Sequence, residues 1–362
     1  GDNDELIVGF ANVQREFRNY FGKLMEGYYS SLSDLLDKTN DISFNAHLPD
    51  FHLDPLAVPS LGATACTLAH AKVGKAFSND LLVPDLAKAC PVAMSKLLHP
   101  INTKAVLMIK APVQWRGGHM GILYKGSGKH NLKASHRDIM INDAIAQPLL
   151  KHVRLGALDI VGEVITSTQW GSGLNGGSTE IAHLYCRAVF SMCKAKKQSC
   201  AAIFVDITTA FARMLRVLAI RAPEYDNDLV KVLHDLGLPS SVTAAILLKV
   251  RVFKDKAHSG TTGHKAAVVS DLHRCTWSAF EGLKGTLATN RGSLAGHALG
   301  DIMFTTSVAY CLQEIRADLT CEGLIHSTAL DTEKNVFSSC GVPDGVVDVD
   351  DVTYCDDYMQ PV

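Results

Sequence analysis

Two places in the sequence, where short apolar segments lead into aspartates, constrain the fold more than any other feature. Residues 201–205, AAIFV, predict a buried strand that ends at Asp206. Residues 352–359 predict two strands joined by a tight turn at Asp356 and Asp357. A buried carboxylate is costly unless it meets a cation. We therefore expect these strands to lie side by side in one sheet, with their carboxylates around metal ions.

Two Mg²⁺ or Mn²⁺ ions about 4 Å apart suit such a set of carboxylates, and this arrangement serves phosphoryl transfer. A surface turn with a solvated carboxylate is the alternative for either segment taken alone. A calcium site in residues 344–351, DGVVDVDD, is a weaker alternative because its spacing fits no EF-hand loop. The presence of both aspartate segments in one chain favours the two-ion site.

Short apolar strands alternate with amphipathic helices along the rest of the chain, without an internal repeat, and this predicts an α+β or α/β layered fold. Helices are predicted at residues 12–32, 84–99 and 141–153 and after Ser178, with a strand at 105–109. We divide the chain into a helical and irregular N-terminal extension with a supporting role (1–103), a basic region (104–200) and the region that carries the aspartates (201–362).

The net charge is −2, which by itself argues weakly against nucleic acid, but the charges are unevenly distributed. Residues 104–155 carry nine basic and two acidic side chains, whereas residues 331–362 carry eight acidic side chains and one lysine. A basic region joined to an acidic one suits a protein that holds polyanions at one place and metal cations at another.

The ten cysteines form no C-x-x-C pair and fit a reducing, intracellular compartment, whether nucleus or cytoplasm. Cys186, Cys193 and Cys200 recur every seven residues, which predicts a buried stripe of small side chains.

The apolar runs are shorter than the ~18 residues that span a bilayer, so we expect no membrane partner. The chain starts at Gly1 without a leader, and we expect it to be a piece of a longer protein.

Four segments resemble reverse transcriptases. Residues 203–211, IFVDITTAF, resemble the first palm motif of that family, and residues 353–359, TYCDDYM, resemble its Y-x-D-D hairpin, with Tyr354 as the tyrosine. Residues 169–184 are similar to the stretch that precedes the first motif in non-LTR retrotransposon and group II intron enzymes, and residues 135–154 to their finger segment. The matching positions in the 169–184 stretch are Gln169, Gly177 and Ser178.

The resemblance covers residues 104–362 and implies a right-hand polymerase palm, an antiparallel sheet with flanking helices, together with fingers. It implies RNA-directed DNA polymerase activity, in which a dNTP is added to a primer 3′-OH. The partners implied are an RNA template, a DNA primer, dNTPs and other domains of a polyprotein. Asp206 and Asp356 would ligate both metal ions and Asp357 would assist. The nucleotide-binding residues implied are Lys125, Lys129, Arg137, Gly296 and Phe211, whose ring would exclude a ribose 2′-OH. A core position in the following helix is the alternative for Phe211.

The second palm motif departs from the family pattern. Its best match, residues 292–304, keeps Gly292, Gly296, Asp301 and Phe304 but has Leu294, Ala295, His297 and Ala298 at signature positions. The chain also ends five residues after Asp357, so we expect the thumb to be absent and the fragment to be inactive alone. Two other hypotheses are a degenerate polymerase-like domain with a binding or structural role, and an RNA-dependent RNA polymerase, against which Phe211 argues.

Overall fold

The computed structural model describes residues 7–45, 53–74, 84–162, 164–171, 173–176, 178–219, 226–257, 262–329, 346–349, 351–354 and 357–361. The fold is α+β, with more helix than strand and with both parallel and antiparallel strand pairs. The chain forms two compact units, of which the first comprises residues 1–163 and 209–307 and the second residues 164–208 and 308–362. The boundaries predicted near residues 103 and 200 do not coincide with the boundaries of these units.

A five-stranded sheet forms the centre of the first unit. In spatial order its strands are β1 (Tyr28–Ser30), β7 (Thr286–Thr289), β6 (Thr276–Ala279), β2 (Gly117–Tyr124) and β3 (His136–Asn142). Strands β2 and β6 pair in parallel and the other neighbours are antiparallel. The helices of this unit are α1 (Phe10–Leu24), α2 (Leu32–Asn45), α3 (Leu61–Ala69), α4 (Pro84–Ala89), α5 (Pro91–Leu107), α6 (Gln147–Gly162), α8 (Ala210–Arg213), α9 (Asp226–Asp235), α10 (Ser240–Ala257) and α11 (Thr262–Leu272).

The core of the first unit lies between α1 and the sheet. Phe21 and Met25, at the end of α1, pack against Met120 of β2, Met140 of β3 and Leu287 of β7. A buried ion pair adds a second link, since the guanidinium of Arg116 lies 2.9 Å from both carboxylate oxygens of Asp271. The segment before β2 and the end of α11 are thereby joined.

The second unit contains a four-stranded sheet. Its order is β4 (Gln169–Trp170), β10 (Val352–Tyr354), β11 (Asp357–Pro361) and β5 (Ala202–Asp206). Strands β4 and β10 are parallel, and the other two pairs are antiparallel. Helix α7 (Thr179–Ala195) covers one face, where Ala182 packs with Trp170, Val352 and Met359. The remaining elements are the strand pair β8 (His326–Ala329) and β9 (Val346–Val349) and the helix α12 (Gly300–Cys321), which begins in the first unit and ends in the second.

The predicted strands at both aspartate segments are present and are neighbours in this sheet, but the predicted burial of the first is wrong. Phe204 is 69% exposed and Ile203 is 53% exposed. Strand β5 is at the edge of the sheet, and the cluster beneath α7 is built on β4, β10 and β11, with only Ala202 of β5 packed against it. The predicted cysteine stripe is also only partly buried, because Cys193 is buried while Cys186 and Cys200 are half-buried.

Several helix boundaries differ from the predictions for physical reasons. Helix α1 ends at Leu24 because the next residues turn the chain into β1, and a Cβ at Gly27 would lie 2.8 Å from the Ala288 carbonyl oxygen. Residues 105–107 belong to α5 rather than to a strand, since Leu98, Asn102 and Ala105 are buried at helical spacing. Residues 141–142 close β3, and α6 begins only at Gln147. Within the described ranges, no helix is both long enough and apolar enough to span a membrane.

Candidate functional site

Asp206 and Asp357 are direct partners across two antiparallel strands. Asp206 is the last residue of β5, Asp357 is the first residue of β11, and the register places them opposite each other. Side chains in this relationship have Cβ atoms about 4.5–5.5 Å apart, and two like charges so placed repel each other. Both residues are exposed. A cation between the two carboxylates would turn this repulsion into binding.

The hairpin next to this pair is present, but Asp357, which was predicted to lie in its turn, is the first residue of β11. Tyr354 of β10 pairs with Asp357 of β11, so two residues, Cys355 and Asp356, separate the paired positions. Both of them lie outside the described residues. Tyr354 packs against the cluster beneath α7, and this contact anchors the hairpin on the covered face of the sheet.

The donor set on the described strands suits Mg²⁺. Mg²⁺ prefers oxygen ligands, keeps several waters and is commonly bound by one or two carboxylates together with substrate phosphates. Asp206 and Asp357 supply carboxylates on adjacent strands. Among the residues that the structure describes, no three His, Cys, Asp or Glu side chains cluster to form a metal site of protein ligands alone. The pair therefore fits an ion that substrate oxygens help to bind.

The residues predicted upstream of β5 build the sheet and helix of the second unit. Gln169 is buried in β4 and is the register partner of Thr353. Ser178 occupies the N-cap of α7, as predicted, but its side chain accepts no backbone hydrogen bond. It bonds instead to the carboxylate of Glu180 and so lowers the pKa of that group. Gly177 lies outside the described residues.

The first unit contains a pocket that brings Phe211 and Gly296 together. It has a volume of about 400 Å³, within the usual range for small-molecule sites. The ring of Phe211 also stacks on Phe304 with centroids 5.0 Å apart, so it serves both the core and the pocket wall. We call this cavity the α6 pocket; it is lined by Gln147, Lys151 and Arg154 of α6, Phe211 of α8, and Gly296 and His297.

Residues 292–299, here called the glycine loop, form one side of the α6 pocket and lie directly on β3. The Met140 N–H donates to the Ala295 carbonyl oxygen at 2.6 Å. Gly296 has φ +91°, and a Cβ there would approach the Met140 carbonyl oxygen to 2.6 Å. Only glycine satisfies both the conformation and the close approach.

A buried arginine that was not predicted from the sequence binds the start of the glycine loop. Arg216 is 1% exposed, and its guanidinium donates to the carbonyl oxygens of Thr289 (2.7 Å), Gly292 (2.8 Å) and Arg291 (3.1 Å). The Ser293 N–H donates to the Phe211 carbonyl oxygen at 2.8 Å. The loop and the segment that carries Phe211 are thus fixed to each other.

The cations of α6 differ in their surroundings. Arg154 donates to the Asp301 carboxylate at 2.8 Å and to the Ala298 carbonyl oxygen at 2.8 Å, so its charge is compensated. Lys151 is exposed and makes no hydrogen bond or ion pair within the described part of the chain. It also lines a neighbouring cavity of about 530 Å³, which shares Gln147 and Gly296 with the α6 pocket. The spacing of 147, 151 and 154 on one helix face is the sequence signal that would have identified this group.

The three basic residues predicted to bind nucleotide do not line the α6 pocket. Lys125 and Lys129 lie in the exposed turn between β2 and β3, where the Lys125 ammonium donates to the Ala134 carbonyl oxygen at 2.8 Å. Arg137 is exposed on β3. Arg137 does not line the neighbouring cavity either, although Ile139 and Ile141 of the same strand do.

Comparisons with known proteins assign no family to this chain. No protein-family model matches the sequence, and no curated protein matches it. The geometry of the aspartate pair and of the α6 pocket, together with the sequence motifs, therefore supplies the basis for a functional proposal.

Proposed function

We propose that this chain is a metal-dependent nucleotidyltransferase of the polymerase type. The observation that carries the proposal is the direct pairing of Asp206 with Asp357 across β5 and β11. Carboxylates that end one strand and begin its neighbour in the sheet are oxygen donors of the kind that two-metal phosphoryl transfer requires. No covalent enzyme intermediate is needed, since positioning and electrostatic stabilisation are sufficient.

Within that class, we propose an RNA-directed DNA polymerase domain of a retroelement. The order β5, β11, β10, with Asp206 at the end of β5 and Asp357 at the start of β11, supports assignment of the second unit's sheet as a polymerase palm. The antiparallel hairpin of β2 and β3, with Lys125, Lys129 and Arg137, supports a fingers role for that part of the first unit. The four motifs in family order point the same way.

The predicted metal ligands, the predicted basic residues and Phe211 have defined roles in this proposal. Asp206 and Asp356 would hold two Mg²⁺ ions, with Asp357 assisting. The bound ions would stabilise the attacking and leaving oxygens. Arg137 and the hairpin lysines would neutralise triphosphate or template charge. The Phe211 ring, fixed by its stack on Phe304, would leave no space for a ribose 2′-OH and so select deoxynucleotides.

A binding module without polymerase activity is the second candidate, and one observation favours it. The α6 pocket is formed even though the glycine loop has Ala295, His297 and Ala298 at signature positions. A degenerate polymerase-like domain of this kind would still bind nucleotides. An RNA-dependent RNA polymerase would require room for the 2′-OH beside Phe211.

Primer extension by the chain with a thumb domain added at its C-terminus tests the proposal. A primed RNA template with dNTPs and Mg²⁺, or Mn²⁺, should yield extended DNA, and Asp206→Asn should abolish it because one shared metal ligand is lost. Asp318→Asn, an exposed carboxylate of α12 in the same unit, is the matched control and should retain activity. Extension that survives Asp206→Asn would remove the assignment. Nucleotide binding without any extension would favour the binding module, and preferential use of rNTPs would favour an RNA polymerase.

A further inference from the structure

His297 occupies a signature position of the second palm motif. Its buried side chain contains a nitrogen atom with no hydrogen-bond partner among the residues that the structure describes. It is 5% exposed, and its Nδ1 accepts the Leu299 N–H at 3.3 Å. We therefore assign the proton of the neutral ring to Nε2. Within the described residues, His297 Nε2 has no hydrogen-bond partner.

A buried N–H without an acceptor destabilises the fold unless a ligand supplies one. Leaving a buried polar group without a partner costs about 1–3 kcal/mol, and buried groups of this kind are usually paired. His297 lines the α6 pocket, so a ligand there can supply the acceptor. The ring stays neutral near pH 7, because burial and the Arg216 guanidinium lower the pKa of His297 to about 4. It therefore offers a directional N–H rather than a charge.

The pocket offers a cation separately from this donor. Arg154 is compensated by Asp301, whereas Lys151 at the exposed side has no partner among the described residues. Gln147 at the first turn of α6 adds an amide and lies at the positive end of the helix. A ligand that matches this arrangement has an anionic end for Lys151 and a neutral acceptor for His297.

We propose that His297 and Lys151 position a nucleotide in the α6 pocket, with Lys151 binding its phosphates and the His297 Nε2–H donating to a neutral acceptor on its sugar or base. This inference rests on the proposed function and names the residue that takes over the work of the missing signature side chain. His297 is then a specificity-determining residue and Lys151 an affinity-determining one.

Calorimetric binding of two probes to the full chain tests the separate roles of Lys151 and His297. The probes are dTTP with Mg²⁺ and inorganic triphosphate with Mg²⁺, which lacks the sugar and base. Lys151→Gln should weaken both by about tenfold, because a charge-assisted contact is lost. His297→Leu should weaken dTTP by roughly tenfold and leave triphosphate unchanged. His297→Gln, which retains an N–H donor, should bind dTTP within about threefold of the wild type. Lys96→Gln, the same charge change at an exposed site on α5, should alter neither.

Three outcomes overturn the inference. They are failure of the wild type to bind dTTP, equal loss of both probes in His297→Leu, and wild-type affinity in Lys151→Gln. The lysine is exposed, so this last variant remains informative even if His297→Leu does not fold. Since binding is measured without primer or template, the two proposals can fail separately. A protein that binds dTTP in this pattern but does not extend a primer once a thumb domain is added would contradict the proposed polymerase activity alone.

Discussion

Arg216 binds Thr289 at two atoms, the carbonyl oxygen at 2.7 Å and the hydroxyl oxygen at 2.8 Å. This pairing places a planar, multi-donor guanidinium where a lysine ammonium cannot reach the same set of oxygens. The connection fixes the start of the glycine loop before the chain enters the α6 pocket.

Arg216→Lys should therefore destabilise the first unit, by about 2–4 kcal/mol, because several buried carbonyl oxygens lose their donors. Urea unfolding measures the loss, and hydrogen exchange should show faster exchange at the Ser293 amide, which bonds to Phe211. Arg213→Lys, at an exposed position on α8, is the control and should change neither quantity. Unchanged exchange at Ser293 in Arg216→Lys would show that the loop does not depend on the guanidinium.

Phe211→Val should reduce the preference for dNTPs over rNTPs in primer extension by about tenfold or more. This fold-change corresponds to about 1.4 kcal/mol of lost discrimination. The smaller side chain would open space beside the sugar. Phe304→Leu removes the ring that fixes Phe211 without altering a pocket wall, so it should cost stability and reduce the preference less than Phe211→Val does. Equal selectivity in Phe211→Val and the wild type would assign Phe211 to the core alone.

The stability of the first unit should fall as the pH drops from about 6.5 to about 4. His297 is surrounded by His273, Arg216 and Asp301, and burial is the main reason that its folded-state pKa is about 4. The imidazole therefore binds a proton more readily in the unfolded chain than in the folded one. The free energy of unfolding is thus highest above pH 6.5 and decreases as the pH falls from 6.5 towards 4. A difference of about 2.5 between the two pKa values corresponds to about 3 kcal/mol. Burial also lowers the pKa of His273, which adds to the loss.

Urea unfolding at several pH values measures this dependence. His297→Gln should flatten the part that belongs to His297, since the amide does not titrate. His234→Gln, which replaces an exposed histidine on α9, should have the same pH profile of unfolding as the wild type. A profile that is equally steep in His297→Gln would place the titrating group elsewhere.

Asp271→Asn should destabilise the first unit by about 3–5 kcal/mol, because Arg116 would be left as a buried charge without its carboxylate. Asp271 also accepts the Ala111 N–H at 2.7 Å, and burial raises its pKa although Arg116 opposes the shift. Chemical unfolding at pH 7 provides the measurement. Asp235→Asn, at the exposed end of α9, should fall within about 0.5 kcal/mol of the wild type.

The strands around the aspartates were predictable because their signals are local. Apolar runs interrupted by paired carboxylates indicate strand ends and a turn, and the resulting strands do pair, with Asp206 opposite Asp357. The exposure of Phe204 was not predictable, since an edge position depends on which strands join the sheet. Hydrophobicity alone does not distinguish an edge from a centre.

The contents of the α6 pocket were only partly predictable. Phe211 and Gly296 were found through motif position, whereas Arg216 was missed because its acceptors are backbone carbonyls brought near it by the fold. The lysines of the β2–β3 turn were chosen for their charge, and charge along a sequence does not specify which cation faces a cavity. Lys151 does face one, and only the placement of α6 reveals it.

The contact between Gly296 and β3 also limits which substitutions the protein can tolerate at position 296. Any side chain at position 296 would have to fit a left-handed φ and a 2.6 Å gap to the Met140 carbonyl oxygen, so the loop would have to leave the strand. Saturation mutagenesis scored for folding and nucleotide binding should therefore return glycine alone at this position, while neighbouring Ala295 and Ala298 accept other small residues. Copies of the gene that lose this glycine would be expected to lose the pocket in a single mutational step.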